Sequence, residues 1–156
     1  MSTHPAPVSR NQGLALTTLK LMCWGFLVFA AIWWTAVHAS IDAPASLLID
    51  ILDWPRDGSH EVLVRDARVF SAIGAGLMVG FAWLVLAVVI PGVRAGSHRI
   101  WRGAVVAITA WYIVDSLGCL IADAAPNAAF NTVFFAMMIL PLWIARPAAD
   151  AVDPLA

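Results

Sequence analysis

Residues 69–90 read VFSAIGAGLMVGFAWLVLAVVI, with Arg68 before them, Pro91 and Gly92 after them and no charged side chain between. About 20 apolar residues coiled as a helix cover the ~30 Å hydrocarbon core of a bilayer, so this stretch has the length of a membrane span. It must be helical there, because lipid offers no partner for the free backbone groups of an isolated strand. Three further runs extend the pattern outward on both sides. One begins after Lys20 and ends at the polar group His38, Ser40 and Asp42; the others follow Arg102 and Asn127. The sequence therefore predicts an all-α, integral membrane, antiparallel four-helix bundle over residues 21–145. Its spans lie at about 21–38, 68–90, 102–122 and 127–145, with tails at 1–20 and 146–156. Pro91 is expected to close the second span, and the first thirteen residues read as a disordered tail.

Composition points the same way. The chain is 62% hydrophobic and only 12% charged, with mean hydropathy +0.84; a soluble domain carries about a quarter charged residues. With so few charges, most of the surface must face lipid, and the bilayer itself is the first expected partner. The net charge of −1 gives no basic patch for nucleic acid. Cys23 and Cys119 both fall inside apolar runs at no metal-binding spacing, where they read as small hydrophobes.

Orientation follows from the arginines and lysines. Arg10, Lys20, Arg94, Arg99, Arg102 and Arg146 share one side of the bundle, whereas Asp42, Asp50, Asp53, Asp57, Glu61, Asp66 and Asp123 share the other with Arg56, Arg65 and Arg68. Both termini are expected in the cytoplasm and the acidic loop outside. Val37, His38 and Ala39 resemble a signal-peptide cleavage site, but the tryptophans Trp24, Trp33 and Trp34 and the length of the run favour a retained helix. In the acidic loop, Leu47, Leu48, Ile51 and Leu52 share one helical face, Asp50, Asp53 and Asp57 the other, and Pro55 ends the run. This predicts a short helix in the outer interface with its acids in water.

Asp115 is the residue most able to carry chemistry. It interrupts the third span about 9 Å below the outer surface, counting back at ~1.5 Å per residue, where an unpaired carboxylate costs several kcal/mol. Gly118, Cys119 and Ala122 beside it leave room for a neighbour. The topology brings Arg68, Ser71, Ser116, Asn127, Asn131, Thr132, Thr35 and His38 to the same leaflet. From these the candidate pocket is Asp115, Arg68, Asn131, Ser116, Ser71 and His38. Two readings stand side by side. In one, Asp115 accepts a proton or cation in an outward-facing pocket, with Arg68 as counter-ion and Asn131 as hydrogen-bond partner. In the other, the same partners pin the register between helices.

The second span also carries Arg68, Ala72, Gly76 and Gly80 at four-residue spacing with Ser71 and Ala75 beside them, a smooth stripe expected to pack against another helix, in this chain before a second subunit. Pro141 frees the carbonyl of Met137 and predicts a bend in the fourth span. No haem is expected, because His38 has no second histidine at matched depth on a facing helix. A surface cation could meet His38, Asp42, Asp50, Asp53 and His60, although a solvated acidic face accounts for the same residues. No nucleophile elbow, phosphate loop or zinc-protease motif occurs, so no catalytic residue is assigned and no cofactor is expected.

The run from Phe70 to Gly80, followed by the run from Trp111 to Gly118 and the pair Asn127 and Asn131, resembles small four-helix bacterial membrane proteins with no assigned activity. The resemblance implies a bacterial inner membrane and the same bundle, and carries no functional residue with it. The function expected on these grounds is a small accessory or scaffold protein without catalysis, working with another membrane protein or with itself. The alternative is a small transporter or ligand-binding bundle built around Asp115, and a membrane enzyme ranks third.

Overall fold

The structure, a computed structural model, describes residues 9–52 and 64–148. Among them, all regular structure is helical. Helix α1 (Arg10–Trp34) runs on as a 3-10 turn over Thr35–Val37, and α2 (Ala43–Leu52) follows. Helix α3 (Arg65–Leu84) passes through a π-helical segment, Val85–Val89, into α4 (Ile90–Arg94), and α5 (His98–Ile121) and α6 (Ala125–Ile144) complete the chain. Four continuous helical stretches are long and apolar enough to cross a membrane: Arg10–Val37, Arg65–Arg94, His98–Ile121 and Ala125–Ile144. The expected four-helix bundle is therefore present. Its two ends are called here the basic end, with Arg10, Arg94, Arg99 and Arg146, and the acidic end, with Asp42, Asp50 and Asp123.

The four long helices form a ring that is closed on three sides. Helix α1 packs on α3 and on α6, and α6 packs on α5. The fourth side closes only near the basic end, where α5 meets the π segment and α4; no α-carbon of α3 lies within 8 Å of one in α5. Packed helices sit 8–10 Å apart axis to axis, so at the acidic end α3 and α5 stand apart.

Helix α1 starts about ten residues earlier than its hydropathy suggests. Ser9 is the N-cap, its hydroxyl accepting from the Gln12 amide at 3.2 Å. Ala15, Leu16 and Leu19 are buried behind it, and the Gln12 side-chain amide donates to the Ala145 carbonyl at the end of α6, 3.1 Å away. The polar Thr17, Thr18 and Lys20 dilute the average, yet they sit on the exposed face. Pro91 does not end the second span either. The Ile90 amide bonds back to the Val85 carbonyl in the wider π pattern, and Pro91, which has no amide proton, falls in the first turn of α4.

The core is densest toward the basic end, where Leu16, Leu19, Cys23, Val93, Ile108, Met138 and Leu142 are nearly or fully buried. At mid-height Phe26 meets Phe81 edge-on and lies 5.3 Å from Phe134, tying α1, α3 and α6 together. Helix α3 turns Ser71, Ala75 and Ala82 to the interior. The stripe Ala72, Gly76 and Gly80 lies about a quarter-turn to half a turn away from that face. Gly76 and Gly80 are exposed, and a Cβ added at either would meet nothing within 4 Å. The expectation that this stripe packs within the chain is thus corrected for Gly76 and Gly80, while Ser71 and Ala75 beside it are buried: one step in sequence is about 100° around a helix, enough to exchange an inward face for an outward one.

Both turns into and out of α5 are Schellman-type closures. In one, Ser97 donates to the Gly92 carbonyl and Gly96 to that of Val93, with Gly96 at φ 89°. In the other, Ala124 donates to Cys119 and Asp123 to Leu120, with Asp123 taking the left-handed φ of 58°. At the acidic end α2 lies against α1 and the start of α6. Thr35 links the two segments: its hydroxyl donates to the Ile32 carbonyl at 2.7 Å and accepts the Ala45 amide at 3.2 Å. The facing of α2 differs from expectation. Asp50 is 9% exposed, while Leu47 and Ile51 are exposed. Asp53, Asp57 and His60 lie outside the described residues.

Candidate functional site

Helix α5 divides the half nearer the acidic end between two faces. The first carries Tyr112, Ser116 and Cys119, spaced four and three residues apart so that they line up toward α6. Tyr112 stacks on Phe135 with ring centres 4.5 Å apart, and its hydroxyl lies 3.0 Å from that of Thr132. Because the Thr132 proton is committed to the Ala128 carbonyl, Tyr112 is the donor. One turn closer to the acidic end, Asn127 donates its amide to the Cys119 sulfur at 2.9 Å, and the buried Asn131 reaches the same sulfur at 3.8 Å. Between them the Ser116 hydroxyl oxygen is buried with no hydrogen-bond partner. Each polar contact of this kind between membrane helices contributes about 0.6–2 kcal/mol. The register-fixing role anticipated for Asp115 is carried on this seam by Asn127, Asn131, Tyr112 and Cys119. Their helical spacing was visible in the sequence, but Cys119 read there as a plain hydrophobe.

The second face is the stripe Ala104, Ile108, Trp111, Asp115, Gly118 and Ala122. Near the basic end its first members, with Phe81, Leu84 and Val88 from α3 and the π segment, line a cavity of about 220 Å³. Continued toward the acidic end, the stripe brings Asp115 to the side of α5 that faces α3, where the two helices have parted. Asp115 is half-buried, and among the described residues no hydrogen bond or ion pair reaches it. Space beside it is open, since a Cβ built on Gly118 would meet nothing within 4 Å.

The remaining expected members of the pocket go elsewhere. Arg68 is 3.5 Å from Asp42, an ion pair with both side chains largely covered (16% and 25% exposed) that ties the start of α3 to the segment before α2. It does not reach Asp115. Ser71 is buried against α1 and donates to the Ala67 carbonyl at 2.8 Å. His38 is exposed, its Nδ1 2.8 Å from the Ser40 hydroxyl. The six residues thus fall into separate groups: Asp115 on the open side, Ser116 and Asn131 on the α5–α6 seam, Arg68, Ser71 and His38 around the start of α3 and the end of α1. Among the described residues, no three histidine, cysteine or acidic side chains gather as a metal ion would require.

The basic end holds a second polar cluster that hydropathy does not announce. The Trp101 indole donates to the Leu142 carbonyl at 2.8 Å, Gln12 serves that of Ala145, and the Arg146 guanidinium lies 5.1 Å above the Trp101 ring. The Trp101 and Gln12 donors satisfy carbonyls at the end of α6 that lack helical partners, a capping role.

Comparison of the chain with protein-family models, curated proteins and solved structures found no match. The site therefore stands on its own geometry.

Proposed function

We propose that this protein is a small accessory or scaffold subunit of a bacterial inner membrane, without catalysis of its own, which engages another membrane protein through the side of its bundle between α3 and α5. Both termini face the cytoplasm, on the arginine and lysine distribution. One observation carries the reading: a carboxylate about two turns inside a membrane helix has no partner among the described residues of its own chain. A charge at that depth calls for company from somewhere, and the side it faces is open. Phe70 and Leu77 on α3 and Val114 on α5, around the same opening, are 72%, 69% and 72% exposed. The alternative, transport through a pocket with Arg68 as counter-ion, loses its second charge to Asp42.

The test is site-directed photo-crosslinking in intact cells. A photoreactive residue at Leu77 or Val114 is expected to give discrete protein adducts that disappear when Asp115 is changed to Leu. The same probe at Val28 or Val133, exposed on other helices, is expected to label lipid only. Identical lipid-only labelling from all four positions removes the accessory reading.

A further inference from the structure

We infer that the occupant of the α3–α5 opening is a single transmembrane helix of a different protein, carrying an arginine or lysine at the depth of Asp115. The inference deepens the accessory reading and rests on it. Three observations lead there.

The opening has the walls of a helix seat. On α3, Phe70 and Leu77 belong to the same stripe as Phe81, Leu84 and Val88, which line the cavity nearer the basic end; on α5 the facing stripe is Trp111, Asp115 and Gly118. Apolar walls with one glycine are suited to close approach by another helix. Between the levels of Phe70 and Val88, the ionisable group on them among the described residues is Asp115, about 9 Å inside the end of α5 at Ile121, six residues away at ~1.5 Å each; Asp66, a turn before Phe70 on α3, adds a second negative charge at the mouth. Charge complementarity then selects a cation, because a neutral donor compensates a desolvated carboxylate less well than a basic side chain does.

A second copy of this chain does not satisfy the same requirement. Its spans hold no lysine or arginine at that depth; Arg68, nearest the level, is taken by Asp42. A two-fold pairing through this face would instead bring two Asp115 carboxylates toward each other, and like charges at close range oppose ionisation of both. Lipid alone fills the walls but leaves the carboxylate uncompensated.

The experiment uses the full-length protein in phosphatidylcholine–phosphatidylglycerol vesicles with synthetic leucine–alanine transmembrane peptides, association being read by energy transfer. One peptide carries a single arginine matched to the level of Asp115, a second has leucine there, and a third carries the arginine at the mirrored level. The matched arginine peptide is expected to associate about tenfold more tightly than the other two, the order one interhelical polar contact supports. Asp115→Asn is expected to bring it down to the leucine level without changing helicity or thermal unfolding, and Asp115→Arg to shift the preference to a glutamate-bearing peptide. Equal binding of the arginine and leucine peptides overturns the inference, as does an arginine preference that survives Asp115→Asn or that unlabelled copies of the protein abolish by self-association. If crosslinks form at Leu77 and Val114 while no charge preference appears, the accessory reading stands and the charged partner falls. If crosslinks are absent, both fall.

Discussion

Asp123 shows how a single residue is constrained here. It sits just past the end of α5 at φ 58°, where the amides of Asp123 and Ala124 close on the carbonyls of Leu120 and Cys119. A side chain in this left-handed region costs about 1–2 kcal/mol, less for aspartate, whose short polar group tolerates it. Glycine removes that cost and returns part of it as unfolded-state entropy. Asp123→Gly is therefore expected to stabilise the protein by about 0.5 kcal/mol, read as a higher midpoint of thermal unfolding in detergent. Asp115 is the opposite case. Its unusual setting was legible in the sequence, since a charge within an apolar run stands out at once. What it lacks was not legible: whether Arg68 reaches it depends on how far apart two helices stand, and nothing in either helix's own residues encodes that separation.

At the level of elements, the α4–α5 turn is the tightest join in the bundle. A Cβ on Gly92 would lie 2.3 Å from the Ile100 Cδ1 and 3.2 Å from its Cβ, and the neighbouring Ser97 is fully buried as the N-cap of α5. Gly92→Ala is expected to cost about 1–3 kcal/mol through overpacking, with part of the loss restored by Ile100→Val; denaturation of the single and double variants checks both. Four long helices were readable from hydropathy because each must supply its own backbone hydrogen bonds in lipid. The facing of each helix was less so. Ala72, Gly76 and Gly80 and the true contact row of Ser71, Ala75 and Ala82 differ by small steps along one helix, and both are small enough to pack. Likewise α2 shows two plausible faces in sequence, and Asp50 is buried on the one it turns inward, a choice that the segment's own pattern does not encode. The early start of α1 escaped a hydropathy window because its buried residues alternate with threonines and a lysine; the cue was the Ser9 cap.

For the whole molecule, one end carries basic side chains without acids among the described residues while the other mixes acids with Arg65 and Arg68, and this asymmetry sets a further expectation. In a variant lacking Cys23 and Cys119, Ala39→Cys in the acidic-end turn is expected to react with a membrane-impermeant thiol reagent on intact cells. Ala95→Cys at the basic end is expected to react only after the membrane is permeabilised; both positions are exposed in the fold. The reverse pattern would invert the proposed orientation. Packing is equally asymmetric. The basic end is fastened by Gln12, Trp101, Ser97 and the Gly92 contact, while α3 and α5 remain apart at the other. This has a kinetic consequence. If the proposed partner helix docks on this side, no contact between α3 and α5 has to break before it settles, so the speed of capture is expected to follow lateral diffusion and the pull of one charge on another.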